Sequence, residues 1–153
     1  MKLPLTGGCQ CGQVRYEIRA EPLSVYICHC TECQRQTASA FGMSVPVPRP
    51  AFVITAGQPK SWSRTADSGR ILDGDLCDVC GVRLAHHPRA NDKVSIVKPG
   101  TLDDTSWLYP VGHIWTRSAQ PWVQIPRDSV IHEGHPADLT PLMEAWRRRR
   151  ERM

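Results

Sequence analysis

The sequence predicts an all-β fold, a sandwich or irregular barrel held together by metal, with one short helix at the C-terminal end. Three observations carry this expectation. Short runs of β-forming residues recur at about 8–12-residue intervals with Gly and Pro between them, the spacing of a sandwich or barrel. Seven cysteines fall into three tight groups, Cys9-x-Cys11, Cys28-x-Cys30-x-x-Cys33 and Cys77-x-x-Cys80. Helix-start signals collect only after residue 137, where Thr140 is a candidate N-cap, Pro141 sits at the first helical position and Glu144 lies in the first turn.

Taken in order, Gly7-Gly8-Cys9-Gln10-Cys11-Gly12 reads as a tight loop whose glycines let two sulfurs turn toward one point. Val14, Tyr16 and Ile18 alternate with polar residues, the period of a strand with one buried face. Leu23–Ile27 reads as a second strand delivering the chain to Cys28, and Cys28–Gln36 as a knuckle running into a short helical turn. Ala40–Val45 looks like a strand leaving it. Pro46, Pro48 and Pro50 suit an edge or a loop rather than a central strand. Phe52–Thr55 is strand-like, Ala56–Pro59 a turn, and Lys60–Arg64 a partner strand behind it. Asp67-Ser68-Gly69 turns the chain into Arg70–Leu76 and then into the second knuckle. Val82–His86, Val94–Val97, His113–Thr116 and Trp122–Ile125 read as further strands, and Leu142, Met143 and Trp146 as the apolar stripe of the final helix.

Hydrophobic residues make up 41% of the 153, enough for a packed core in one domain, expected over 5–136 with a basic helical tail over 137–153. Net charge is +4, but taking Arg147–Arg150, Arg152 and Glu151 away from the 19 basic and 15 acidic residues leaves 14 of each. The basic character belongs to the tail, expected to be a solvated helix end. A distributed basic face of the kind that binds nucleic acid is absent. No apolar run approaches the roughly 20 residues that span a bilayer, and Pro4 stands where a signal peptide needs its apolar stretch. The expected setting is the cytoplasm, with neither nucleic acid nor membrane as partner, and a monomer or homodimer as the assembly.

An odd number of cysteines argues against a full disulfide framework, and clustered thiols in such a chain point to metal. Cys9, Cys11, Cys77 and Cys80 form two pairs, 65 residues apart, neither sufficient alone. Together they complete the four-thiolate set of a structural zinc site. A redox role for Cys77-x-x-Cys80 needs a βαβ pattern that this region lacks. Cys28, Cys30 and Cys33 remain. Three protein ligands with one open position describe a catalytic or ligand-accepting zinc, whereas a histidine in fourth place would close it. His29 lies between two ligands and should point away; His86, His87, His113, His132 and His135 stay open as candidates. Three thiolates around Zn²⁺ leave a formal charge of −1. That weakens it for making hydroxide and suits it to a soft ligand such as a substrate thiol.

Gly7-Gly8-Cys9-x-Cys11-Gly12-x-Val14-Arg15-Tyr16-Glu17, Cys28-His29-Cys30-x-x-Cys33-x-Arg35, Cys77-x-x-Cys80-Gly81, His113-Ile114-Trp115 and Pro121-Trp122 together resemble the glutathione-dependent formaldehyde-activating enzyme family, which includes centromere-protein-V-like members. The resemblance runs in order from Gly7 to about Trp122. It departs at Ala38-Ser39-Ala40-Phe41, where relatives often read Gly-Ser-Ala-Phe, and it carries no motif over Pro46–Pro59. It implies a coiled all-β zinc fold with two zincs per chain: a structural one on Cys9, Cys11, Cys77 and Cys80, and a catalytic one on Cys28, Cys30 and Cys33. It further implies an S-(hydroxymethyl)glutathione synthase or related carbon–sulfur lyase, with a small thiol and an aldehyde as substrates and glutathione as co-substrate. Within that reading His113 is a candidate acid–base or pocket residue, Arg35 and Arg15 are candidate carboxylate binders, and His29 either meets substrate or holds the knuckle. The competing class is a non-catalytic two-zinc interaction module or a glutathione carrier.

Overall fold

A computed structural model of the chain describes residues 1–66 and 68–152. Eleven strands and two α-helices are formed among them, so the mostly-β expectation holds, and the sheets do not close into a barrel. The chain divides into two compact units, and the backbone passes between them three times. The first holds residues up to Pro22 and Pro46–Trp107; the second holds Leu23–Val45 and the chain from Leu108 onward.

In the first unit, β1 (Leu5–Gly8) and β5 (Phe52–Ala56) flank β2 (Arg15–Ile18), all antiparallel. The alternation read at Val14, Tyr16 and Ile18 is the buried face: all three are at most 1% exposed, and the Tyr16 ring lies 5.0 Å from that of Phe52. The Tyr16 hydroxyl meets Thr101 Oγ1 at 2.8 Å, which gives the buried phenol its partner. β6 (Lys60–Thr65), β7 (Ile71–Leu76), β8 (Arg83–Pro88) and β9 (Val94–Val97) form an antiparallel meander. β6 therefore pairs with β7 and not with β5, contrary to the sequence expectation; β5 ends the three-stranded sheet as the partner of β2. Of the expected Asp67–Gly69 turn, Asp67 lies outside the described residues, and Gly69 N–H donates to Ala66 O at 2.8 Å. A polar ladder crosses three meander strands. Asp75 on β7 meets His87 Nε2 at 2.8 Å, and Ser95 on β9 meets His87 Nδ1 at 3.0 Å. Each buried polar atom in the ladder thus finds a partner.

The second unit is built on β3 (Tyr26–Cys28), with β10 (Gly112–Ile114) parallel on one side, β11 (Val130–His132) parallel beyond it, and the Gly42–Ser44 part of β4 (Gly42–Pro48) antiparallel on the other; β4 leaves this unit after Val45. β4 runs through Pro46 and Pro48, which the sequence assigned to an edge or loop. Residues two apart in a strand direct their N–H positions to the same side, so the two prolines leave donors missing along one edge only. The expected strand Trp122–Ile125 is absent. Trp122 is 71% exposed between Pro121 and Pro126, and the edge position beside β10 goes to β11, which was not expected. α1 (Thr31–Thr37) follows the knuckle, and α2 (Thr140–Arg150) closes the chain. The α2 start shifts by one residue: Leu139 caps it, Thr140 is the first helical residue, and Asp138 Oδ1 accepts the Thr140 N–H at 2.8 Å. Leu142 and Trp146 are buried and Met143 is 40% exposed, so the inward stripe is narrower than expected. Neither helix is long and apolar enough to cross a membrane.

Candidate metal centres

In the first unit, the loop after β1 and the turn between β7 and β8 each present a thiol pair. Gly12 and Gly81 end these turns at φ of 78° and 72°, a left-handed conformation that a side chain would resist. The turns are closed by Gly12 N–H to Cys9 O at 3.1 Å and by Gly81 N–H to Cys77 O at 2.8 Å. Ligand atoms of Cys9, Cys11, Cys77 and Cys80 all lie within 4.8 Å of one another. Backbone donors stabilise negative sulfur here. Val14 N–H reaches Cys9 Sγ at 3.2 Å, and Val82 N–H followed by Cys11 N–H hold the Cys80 thiol down at about 6. Burial pushes Cys9 up, but the Val14 donor and the Cys11 and Cys77 thiols bring it below its ordinary value. Gln13 N–H favours the Cys11 thiolate, yet the Cys9 sulfur, burial and the Cys77 and Cys80 sulfurs push it up to about 12. Four thiols so close cannot all ionise unless a cation sits among them. The donor set therefore fits zinc, which takes four thiolates in a tetrahedron.

In the second unit, β3 carries Cys28 to its end, Cys30 caps α1, and Cys33 lies in the first turn. The Cys33 N–H donates to Cys30 Sγ at 3.3 Å, so the knuckle and the helix start are one structure. The three ligand atoms lie within 4.8 Å of one another, and among the described residues no histidine, aspartate or glutamate joins them. None of the five histidines open as fourth ligand takes that place. The Cys30 and Cys33 sulfurs, then burial, push the Cys28 thiol far up; Cys30 is also raised, the Cys33 sulfur and burial outweighing the favourable Cys28 contact. Here too the crowding of thiols fits a divalent cation. Cys28 packs with Tyr26, Ile114 and Leu142, against which Cys30 and Cys33 also lie.

His29 turns away from the sulfurs, as its flanking ligands demand. It is fully buried, stacks on His113 with ring centroids 5.2 Å apart, and places Nε2 2.9 Å from His113 Nδ1. The Phe41 ring meets it edge-on at 5.7 Å. Burial lowers both imidazoles, His113 to about 4 with His29 adding to the effect, so both are neutral near pH 7. His113 is itself 3% exposed. Of the expected carboxylate binders, Arg35 stands exposed in the last turn of α1, whereas Arg15 is paired with Asp103.

The sequence reading missed the groups that fix the knuckle backbone. Gln34 Nε2 donates to His29 O at 2.7 Å and to Ser118 O at 2.8 Å; Ser118 Oγ donates to His29 O at 3.0 Å; Gln120 Nε2 donates to Gln34 Oε1 at 3.0 Å. Ser118 arrives there because Trp115 adopts φ 59°, a left-handed turn unusual for a large residue, directly after β10. No periodicity marks these residues; the one signal was the position of Gln34 inside the knuckle motif.

The crystal structure of a Rhodobacter sphaeroides protein from a structural genomics programme is similar in fold, with a TM-score of 0.53 at 20% identity, covering 67% of this chain and 91% of that chain. The model of the glutathione-dependent formaldehyde-activating enzyme family matches residues 4–118, a span that holds all seven cysteines and the His29–His113 pair, and reaches Ser118. This chain belongs to the glutathione-dependent formaldehyde-activating enzyme family.

Proposed function

We propose that the protein is a zinc-dependent carbon–sulfur lyase or synthase of the S-(hydroxymethyl)glutathione synthase type, acting on adducts of a small thiol, glutathione first, with a small aldehyde such as formaldehyde. The observation that carries this reading is the contrast between the two thiol groups: four sulfurs form one complete ligand set, while the other three are joined by no fourth ligand among the described residues. When bound by Cys28, Cys30 and Cys33, zinc supplies a position that holds a substrate thiol deprotonated, the nucleophilic form at neutral pH. The chain's own residues do the rest. Cys30 and Cys33 are kept in place by the first turn of α1. The carbonyl between Cys28 and Cys30 is clamped by Gln34 and Ser118, and the His29–His113 stack fills the space behind the knuckle. In the synthetic direction a carbon–sulfur bond forms between the thiol sulfur and the aldehyde carbon, and the thiol proton ends on the aldehyde oxygen. The lyase direction reverses both changes.

The test combines zinc content with exchange NMR on glutathione and ¹³C-formaldehyde, with the uncatalysed rate subtracted because hemithioacetals also form unaided. Two zincs per chain with exchange above background support the reading. Two zincs without glutathione binding, and without turnover of any thiol–aldehyde adduct, overturn it in favour of a non-catalytic zinc module. Glutathione binding with exchange at background overturns it in favour of a carrier.

A further inference from the structure

The five arginines of the C-terminal end are not equivalent. Ala145, Arg148, Arg149 and Arg152 stand at i, i+3, i+4 and i+7, which is one face of a helix. Arg152 lies two residues past the end of α2, and its N–H to Arg149 O at 3.1 Å continues the turn. This face lines a cavity of about 180 Å³ together with Tyr109, Pro110 and Val111 before β10 and Asp128 and Ser129 before β11. The Arg149 guanidinium lies 3.8 Å from the centroid of the Tyr109 ring, which fixes its plane. Arg149 Nε is buried with no hydrogen-bond partner. Arg148 reaches Glu144 at 3.8 Å between exposed side chains, and neither Arg149 nor Arg152 is held in an ion pair among the described residues.

Cations at a helix C-terminus are favoured by the helix dipole, which accounts for arginines in the last turn. It does not account for a guanidinium held over an aromatic ring in the lining of a cavity with no carboxylate paired to it among the described residues. The partner that fits the unpaired arginines lining the cavity is an anion. Three guanidinium groups and the single Asp128 carboxylate leave the lining at net +2. That matches one phosphate, which carries close to −2 above its second pKa of about 6, better than it matches an extended polyanion. Guanidinium groups also pair bidentately with phosphate oxygens. At roughly 30 Å³ per water, the cavity has the volume of about six waters, room for a phosphate group and a few further atoms.

We propose that the cavity between Arg148, Arg149, Arg152 and Tyr109 binds a small phosphomonoester. No residue of either thiol group lines this cavity, and its arginines lie past the residues matched to the family.

The test titrates the full-length, zinc-loaded protein with inorganic phosphate and with methyl phosphate, following arginine Nε–Hε and backbone signals by NMR and affinity by calorimetry. The expected result is saturable binding with shifts confined to Tyr109, Ser129 and Arg149. R149Q is expected to weaken binding by about tenfold or more, the loss of a charge-assisted hydrogen bond. R152Q, which leaves the Tyr109 stack in place, is expected to weaken it several-fold. R49Q, an exposed arginine of the first unit, serves as control and should bind as wild type. If R149Q does not fold, R152Q against R49Q decides. Methyl phosphate binding better than inorganic phosphate identifies an ester ligand, and either one binding at this cavity supports a phosphate site. Absence of saturable binding, equal weakening in R49Q and R152Q, or an oligonucleotide binding where methyl phosphate does not, overturns the proposal. Zinc content and thiol–aldehyde exchange, read in the same samples, keep this outcome distinct from that for the proposed activity.

Discussion

Leu142→Ala tests whether α2 braces the three-thiol strand. Leu142 is 0% exposed and shares a cluster with Tyr26, Cys28 and Ile114. Its Cδ2 lies where a side chain on Gly112 would have to sit, so the helix rests directly on the β10 backbone, and Ser24 Oγ donates to Leu142 O at 3.1 Å. Removing three carbons at about 0.8 kcal/mol each costs ~2.4 kcal/mol. A residual void of about 40 Å³ at ~24 cal/mol per Å³ adds ~1 kcal/mol, for a total of about 3–4 kcal/mol. Met143→Ala on the same helix removes a side chain of similar size that is 40% exposed, and should cost under about 1 kcal/mol. The assay is urea unfolding of the zinc-loaded protein, followed by fluorotryptophan NMR at Trp115 and Trp146 so that the second unit is read by itself. A loss below about 1 kcal/mol for Leu142→Ala, or one equal to that of Met143→Ala, would refute the argument that the knuckle strand leans on this residue.

Three further outcomes are expected. Cys30→Ser should leave the protein folded by circular dichroism while zinc content falls toward one per chain and thiol–aldehyde exchange is lost; Cys9→Ser should instead disorder the first unit, and equal unfolding by both would contradict the assigned division of roles. Gly42→Val should displace α1, because a Cβ there already meets Cys33 Cβ at 3.3 Å and Thr37 Cγ2 at 3.4 Å; a zinc titration reads the loss of affinity at the three-thiol group, and wild-type affinity would show that the knuckle tolerates movement. Ser95→Ala removes the partner of the buried His87 Nδ1 and should destabilise the first unit by about 1–3 kcal/mol in the same urea assay, a change near zero arguing that the ladder is dispensable.

What the sequence made legible follows physical range. Period-2 alternation at Val14, Tyr16 and Ile18 is local and survived intact, and so did the start of α1 at the knuckle. Cysteine spacing is a long-range signal only because thiols sharing one ion must meet; it sorted seven residues into a four and a three, and the sulfurs are grouped that way. Strand pairing has no such marker. The partner of β6 and the parallel neighbour of β3 depend on which edges other strands leave free, a property of the whole chain. Trp122–Ile125 has strand composition but no neighbour to pair with, whereas Val130–His132 has little pattern and an available edge. The His29–His113 contact joins residues 84 apart by a single hydrogen bond, which no spacing rule encodes.

The division of the chain also sets an order of events during synthesis. Cys9 and Cys11 are made early, and the thiols that complete their group end at Cys80, 69 residues after Cys11. At about 5–20 residues per second, the first pair waits roughly 3–14 s on the ribosome before its partners exist. β3 waits longer, since its parallel neighbour β10 begins at Gly112. The nascent protein thus carries five thiols ahead of the residues that complete the first group and bury the second. That interval, rather than the finished fold, is where oxidation or capture of a wrong metal has its opening.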